Sequence, residues 1–160
     1  MIEDVTADLR REQKKDLRAA LGALAILKEH FGRETMSAAL GEISERLVAR
    51  YAKATRIDRG GRGHDLVDSN ARKIEVKSRL PGKWGDSRQF NFGKHTSSAH
   101  IVYCIAWDDV PSLSISHAIR ITVRELKRRW GRTNGNYCAR VNLRQLKGAL
   151  ASSKIKVRPS

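Results

Sequence analysis

Cysteine is close to absent from this sequence: Cys104 and Cys138 are the only two among 160 residues. Two thiols cannot build a disulfide framework, and a zinc cluster would need more ligands than they supply. Cys104 also falls inside the apolar run Ile101-Val102-Tyr103-Cys104-Ile105-Ala106, where a free thiol behaves as a small hydrophobe. Long hydrophobic runs are missing too. The longest, Ala19 to Leu27, is too short to cross a bilayer, and no signal-peptide pattern precedes it. The expected compartment is therefore a reducing cytoplasm. Acidic residues are scarce as well, with 17 Asp and Glu against 32 Lys and Arg.

That imbalance leaves a net charge of +15 and a pI near 10.5. In a chain the size of one domain, whose 40% hydrophobic content supports a core without metal or disulfide staples, so large an excess points to a polyanionic partner. A membrane surface would require an amphipathic helix with bulky apolar residues opposite the cations, and no such segment stands out. Nucleic acid fits better. The charge is also uneven: from Arg120 onward Glu125 is the only acid among a dozen basic residues. The C-terminal third, with Arg128, Arg129 and Arg132, is the expected phosphate-contacting surface.

The stretch His64 to Arg79, HDLVDSNARKIEVKSR, carries the chemistry. Asp65 opens a short apolar run, Asp68-Ser69-Asn70 has turn character, and Ile74-Glu75-Val76-Lys77 alternates with period two. Read as two strands, it puts Glu75 and Lys77 on one face and Ile74 and Val76 on the other. Asp68 competes with Asp65, but three residues apart on a strand they face opposite ways, and Asp68 suits the turn; Asp65 is the preferred acid. A hard cation such as Mg²⁺, for which Mn²⁺ could substitute, is usually held by one or two carboxylates plus water and phosphate oxygens. Asp65 and Glu75 could supply the carboxylates, and Lys77 could position and activate the attacking water and offset charge building on a scissile phosphate. The acid-x-Lys triplet occurs three times, at Glu12, Glu75 and Glu125. Only the middle one has β-branched flanks and an acid on a preceding strand; the others lie in helical patterns, where i and i+2 do not face each other.

A helix plausible from Thr35 or Ser37 places Leu40, Ile43, Leu47 and Tyr51 at helical spacing and brings Glu42 and Glu45 to one side. This order, a helix with Glu, then Asp-Leu on a strand, then Glu-Val-Lys-Ser-Arg, is similar to the PD-(D/E)xK nuclease superfamily, which includes many restriction endonucleases and archaeal-type Holliday-junction resolvases. The resemblance spans roughly Gly41 to Asp109, and departs from the name pattern in having His64 where proline precedes the first acid. It implies a catalytic core of Asp65, Glu75 and Lys77. It also implies that Glu45, by its spacing from Gly41, is the helix acid, holding a second metal or orienting the first, with Glu42 an ordinary surface charge.

Basic positions around the stretch are the candidate nucleic-acid contacts. Arg62 lies in the glycine-rich loop Arg56 to Gly63, which lacks the Gly-Lys-Ser/Thr ending of a P-loop. Arg79 follows the catalytic strand. Lys83, Trp84, Arg88, Lys94 and His95 lie in a turn-rich segment, Leu80 to Ser98, whose Phe90 and Phe92 suit either base stacking or the domain edge. His100 to Trp107 reads as a buried strand, and Ser114 to Ile121 as a strand with Ile115, Ile119 and Ile121 on its buried face. Thr122 to Glu125 has the capping-box pattern ahead of a helix from Leu126 to Trp130, stopped at Gly131. Asn134-Gly135 marks a turn, Tyr137 to Val141 a strand, and Asn142 a cap for a helix from Leu143 to Leu150. Lys154 to Pro159 reads as an edge strand or a basic arm.

Residues Ile2 to about Phe31 read as one long helix, either covering the sheet or packing on a second subunit. The expected fold is thus α/β, a mixed central β-sheet flanked by helices; the resemblance implies a restriction-endonuclease-like core, here with an extra N-terminal helix. Residues 1–34 would form that extension and 35–160 the nuclease-like part of one compact domain. The expected function is a Mg²⁺-dependent endonuclease acting on DNA, RNA not being excluded, in a restriction-type, junction-resolving, mobile-element or repair role. Two-strand cutting would require a homodimer. The alternative is a non-catalytic nucleic-acid-binding protein with a vestigial site.

Overall fold

Strand β6 (Ile101–Asp108) is the spine of the structure, a computed structural model that describes residues 1–13, 15–57, 64–80, 87–108, 113–131 and 139–155. Its run of β-branched and aromatic residues is buried on both faces, as a central strand requires. Ile101, Tyr103, Ile105 and Trp107 point into one core, and Val102, Cys104 and Ala106 into the other. On one side β6 pairs in parallel with β4 (Lys73–Arg79), and on the other antiparallel with β7 (Ser114–Thr122). With β1 (Ile2–Asp4), β2 (Ala54–Arg56) and β3 (Leu66–Asp68) they form a mixed six-stranded sheet of order β1-β7-β6-β4-β3-β2. The mixed α/β class expected from the sequence is present.

Helices cover both faces. On one lie α1 (Thr6–Arg11), α2 (Lys15–Leu27) and α3 (Arg33–Ala52), contributing Leu9, Leu21, Leu40 and Leu47 to the core against Ile74 and Trp107. On the other lie α4 (Val123–Trp130), α5 (Leu143–Ile155) and a two-stranded antiparallel ribbon of β5 (Gln89–Phe92) and β8 (Ala139–Asn142). Among the described residues no helix is long and apolar enough to cross a membrane.

Four local expectations change. The single helix over Ile2 to Phe31 is instead a strand and two helices: Ile2–Asp4 completes the ladder that β7 offers at its open edge, and Arg10 donates two hydrogen bonds to the Ile115 carbonyl. Within Leu80 to Ser98, Gln89-Phe90-Asn91-Phe92 is a strand whose alternation buries Phe90 and Phe92 completely, so they are core residues. In β7 a bulge beside Ala106 and Trp107 shifts the alternation, so Ile115 faces the α3 side while Ile119 and Ile121 face the α4 side. Helix α5 runs on through Ile155, since no helix breaker follows Leu150, and Lys154 is not the start of a strand.

The starts of α4 and α5 and the end of α4 follow their sequence signals. Thr122 Oγ1 accepts from the Glu125 N–H at 3.3 Å at the start of α4. Asn142 and Gln145 exchange reciprocal bonds of 2.8 and 2.9 Å at the start of α5. Gly131 caps the end of α4, its N–H donating to the Lys127 carbonyl at 2.8 Å, and only glycine fits there because a Cβ would collide with that oxygen. The Asn134-Gly135 turn, Cys138 and the last five residues lie outside the described residues.

Candidate active site

The hairpin β3–β4 and helix α3 build the site. Leu66 pairs with Ile74 across the hairpin, and the Asp65 N–H donates to the Ile74 carbonyl at 2.9 Å, which carries the ladder one residue past β3. This fixes Asp65 beside β4, where its Oδ2 accepts the Val76 N–H at 2.7 Å. The turn is held by Asp68, which accepts from the backbone N–H groups of Asn70 and Arg72 and from the Arg72 guanidinium at 2.7 Å. Burial pushes the Asp68 carboxyl up, but those donors outweigh it and hold the group below the usual range. Asp68 is thereby committed to the turn, and Asp65 is the acid left facing β4.

Glu75 and Lys77 share a face of β4, with Lys77 Nζ 2.5 Å from Glu75 Oε1. Glu75 is 6% exposed, and its second oxygen, Oε2, is buried with no hydrogen-bond partner among the described residues. A buried carboxylate oxygen without a donor is costly, and a cation is one ligand that would satisfy it. The Asp65 carboxyl is raised, first by burial and further by the Glu75 charge, against the lowering effects of the Val76 N–H and Lys77. Asp65, Glu75 and Lys77 are thus brought together as the sequence spacing predicts.

Helix α3 approaches β4 closely at Gly41, whose Cβ position lies 3.9 Å from Ser78 Oγ. One turn on, Glu45 is close enough for the Asp65 charge to act on it: its carboxyl is raised by burial first and then by Asp65. Its Oε2 is also 2.9 Å from the Arg56 guanidinium, which reaches Glu42 at 3.3 Å. Glu42 pairs with Arg46 at 3.0 Å, in keeping with a surface charge. Arg56, on β2, is the residue that sequence reasoning missed. Its partnership with α3 arises only because β2 pairs with β3, and no local spacing signals that. Among the described residues no group of three or more His, Cys, Asp or Glu forms a ready-made metal cluster; the donor set is the pair Asp65 and Glu75, within the one or two carboxylates that suit Mg²⁺.

The expected nucleic-acid contacts divide. Arg79 follows Lys77 on the same face of β4; it donates to the Ser78 and Gln89 carbonyls and lies over the Phe90 ring, 5.7 Å from its centroid. Arg88, only 9% exposed, donates to the Trp107 carbonyl at 2.6 Å and pairs with Asp108, so much of it serves the fold. Arg128 and Arg129 both bond Glu125 at 2.6 Å. Lys94 and His95 are exposed on a 3₁₀ turn after β5. Arg62, Lys83, Trp84 and Arg132 lie outside the described residues. In comparisons with known proteins, no family model and no curated protein matches the chain.

Proposed function

We propose that the protein is a Mg²⁺-dependent endonuclease that hydrolyses phosphodiester bonds in DNA, built on a restriction-endonuclease-like core. The observation that carries this reading is the convergence of Asp65, Glu75 and Lys77, with Glu75 Oε2 buried and lacking a donor. Asp65 and Glu75 would hold the cation, which when bound would polarise the phosphoryl oxygens and increase the acidity of the attacking water. Lys77, on the same strand face, orients that water and stabilises charge developing on the phosphate. Glu45, neutralised in part by Arg56, orients the acid pair from α3. The net charge of +15 supports the nucleic-acid partner. A cytoplasmic location and, for a two-strand cutter, a homodimer belong to the same reading.

A second reading, a non-catalytic nucleic-acid-binding protein, draws on one observation: Glu75 and Glu45 each have a basic partner within the chain. Incubating the protein with supercoiled, linear, branched and single-stranded DNA and with RNA, each in Mg²⁺, Mn²⁺ or EDTA, separates the two. Metal-dependent cutting that disappears in Glu75→Ala supports the nuclease. Binding without cutting in both proteins supports the second reading. The preferred substrate would distinguish restriction-type, junction-resolving and repair roles.

A further inference from the structure

The outer face of the β5/β8 ribbon has no role in the site described above. Its inner face, Phe90, Phe92, Ala139 and Val141, is buried. Alternation therefore turns Gln89, Asn91 and Arg140 outward, and all three are exposed. Asn91 and Arg140 are direct cross-strand partners. Among the described residues none of the three side chains has a hydrogen-bond or ion-pair partner, whereas Asn142, the fourth outward position, is committed to capping α5. Two amides and a guanidinium are the groups that make bidentate contacts to base edges, amides to adenine and Arg to guanine.

We propose that this ribbon enters the major groove of duplex DNA and makes the protein sequence-selective, an inference that rests on the nucleic-acid partner proposed above. A two-stranded ribbon is one of the two elements that the major groove admits. Residues two apart on a strand are separated by about 6.8 Å, about two base-pair steps of 3.4 Å, so Gln89 and Asn91 address base pairs two steps apart. Arg79 of β4 fixes the ribbon to that strand by donating to the Gln89 carbonyl and lying over Phe90, and the bond from the Leu143 N–H to the Arg88 carbonyl adds one rung to the ribbon's own ladder. Exposed cations flank it, with Lys94 just after β5 and Arg144 just after β8, where phosphates bordering a groove would lie. A face that was only solvated would not need this choice of side chains beside that flank.

The test uses the full chain carrying Glu75→Gln, so that bound DNA is not cut, selected against a random duplex library. A preferred motif is expected. In the same background, Arg140→Lys keeps the charge but loses the fork; it should weaken the preferred duplex on the order of ten- to a hundredfold at one guanine position and change random-duplex affinity little. Asn91→Ala should relax a different position. If duplexes bind but no motif emerges, or Arg140→Lys and Asn91→Ala leave the motif unchanged, the ribbon is not a reader. Tighter retention of RNA than of duplex would also overturn it. A selected motif that the wild-type protein does not cut in Mg²⁺ would keep the ribbon assignment and remove the nuclease reading. Failure to bind any nucleic acid would remove both.

Discussion

Lys77 Nζ sits 2.5 Å from Glu75 Oε1, while Glu75 Oε2 lies buried without a donor among the described residues. One carboxylate thus has one oxygen neutralised by the strand that carries it and one left for something else. Replacing Lys77 with Met removes the positive charge competing for this carboxylate. The expected outcome is a fall in cleavage of about 10²- to 10⁴-fold, the usual contribution of a positioned proton-transfer group, together with Mg²⁺ affinity at least as high as wild type. Single-turnover cleavage at saturating Mg²⁺ checks the first part. A variant that cuts as fast as wild type would remove Lys77 from the chemistry.

The raised carboxyls of Asp65 and Glu45 give a pH dependence of defined sign. Each holds its proton to higher pH in the folded chain than in the unfolded one, chiefly through burial. Their contribution to stability is therefore fully present below the unfolded values of about 4 and is lost as pH rises through the raised folded values. A cation held by the acid pair would oppose that loss, so Mg²⁺ should raise the melting temperature more at pH 8 than at about pH 4, near the unfolded values. Asp65→Asn should flatten the pH dependence and cancel much of the Mg²⁺ effect. Thermal melts across that range check both. An Mg²⁺ effect equal at the two pH values would contradict the assignment.

Arg56 links β2 to α3 through Glu45 and Glu42. Arg56→Ala leaves Glu45 half-buried without its cation and should cost about 1 kcal/mol, lowering the melting temperature by roughly 2–4 °C. Adding Glu45→Gln should recover part of that loss, since the uncompensated charge is then gone. A double-mutant cycle by denaturant unfolding measures the coupling; additive effects would mean that the pair contributes nothing.

Glu125 is held at about 2, first by its hydrogen bonds from Arg128. It therefore remains ionised over the working pH range and keeps both Arg128 and Arg129 engaged. Glu125→Gln should release them to phosphates, raising duplex affinity and steepening its salt dependence by roughly one to two counterions. An unchanged slope would show that α4 does not face the nucleic acid.

How much of this the sequence reveals depends on whether a signal is local. Strand β6 is legible as an uninterrupted apolar run, and the Ile74–Lys77 alternation and the spacing along α3 are periodic; all three elements form there, with α3 starting earlier than expected, at Arg33. Asp65 was separable from Asp68 because turn chemistry at Asp68-Ser69-Asn70 is local too. The misread segments are those decided by tertiary partners. Ile2–Asp4 is a strand because β7 offers it an edge, and Ile115 changes face because of a bulge. Gln89 to Phe92 carried a legible alternation, hidden by the turn residues around it. The Arg56–Glu45 pair needed the β2–β3 register, which no residue pattern in Arg56 to Gly63 specifies.

The most direct measurement is calorimetric titration of Mg²⁺ into the wild-type protein, Asp65→Asn, Glu75→Gln and Lys77→Met. Saturable binding in wild type and Lys77→Met, with loss in the two carboxylate variants, is the predicted result. Heats in wild type no different from those in Glu75→Gln would contradict the account, because the buried oxygen of Glu75 would then have no cation to meet.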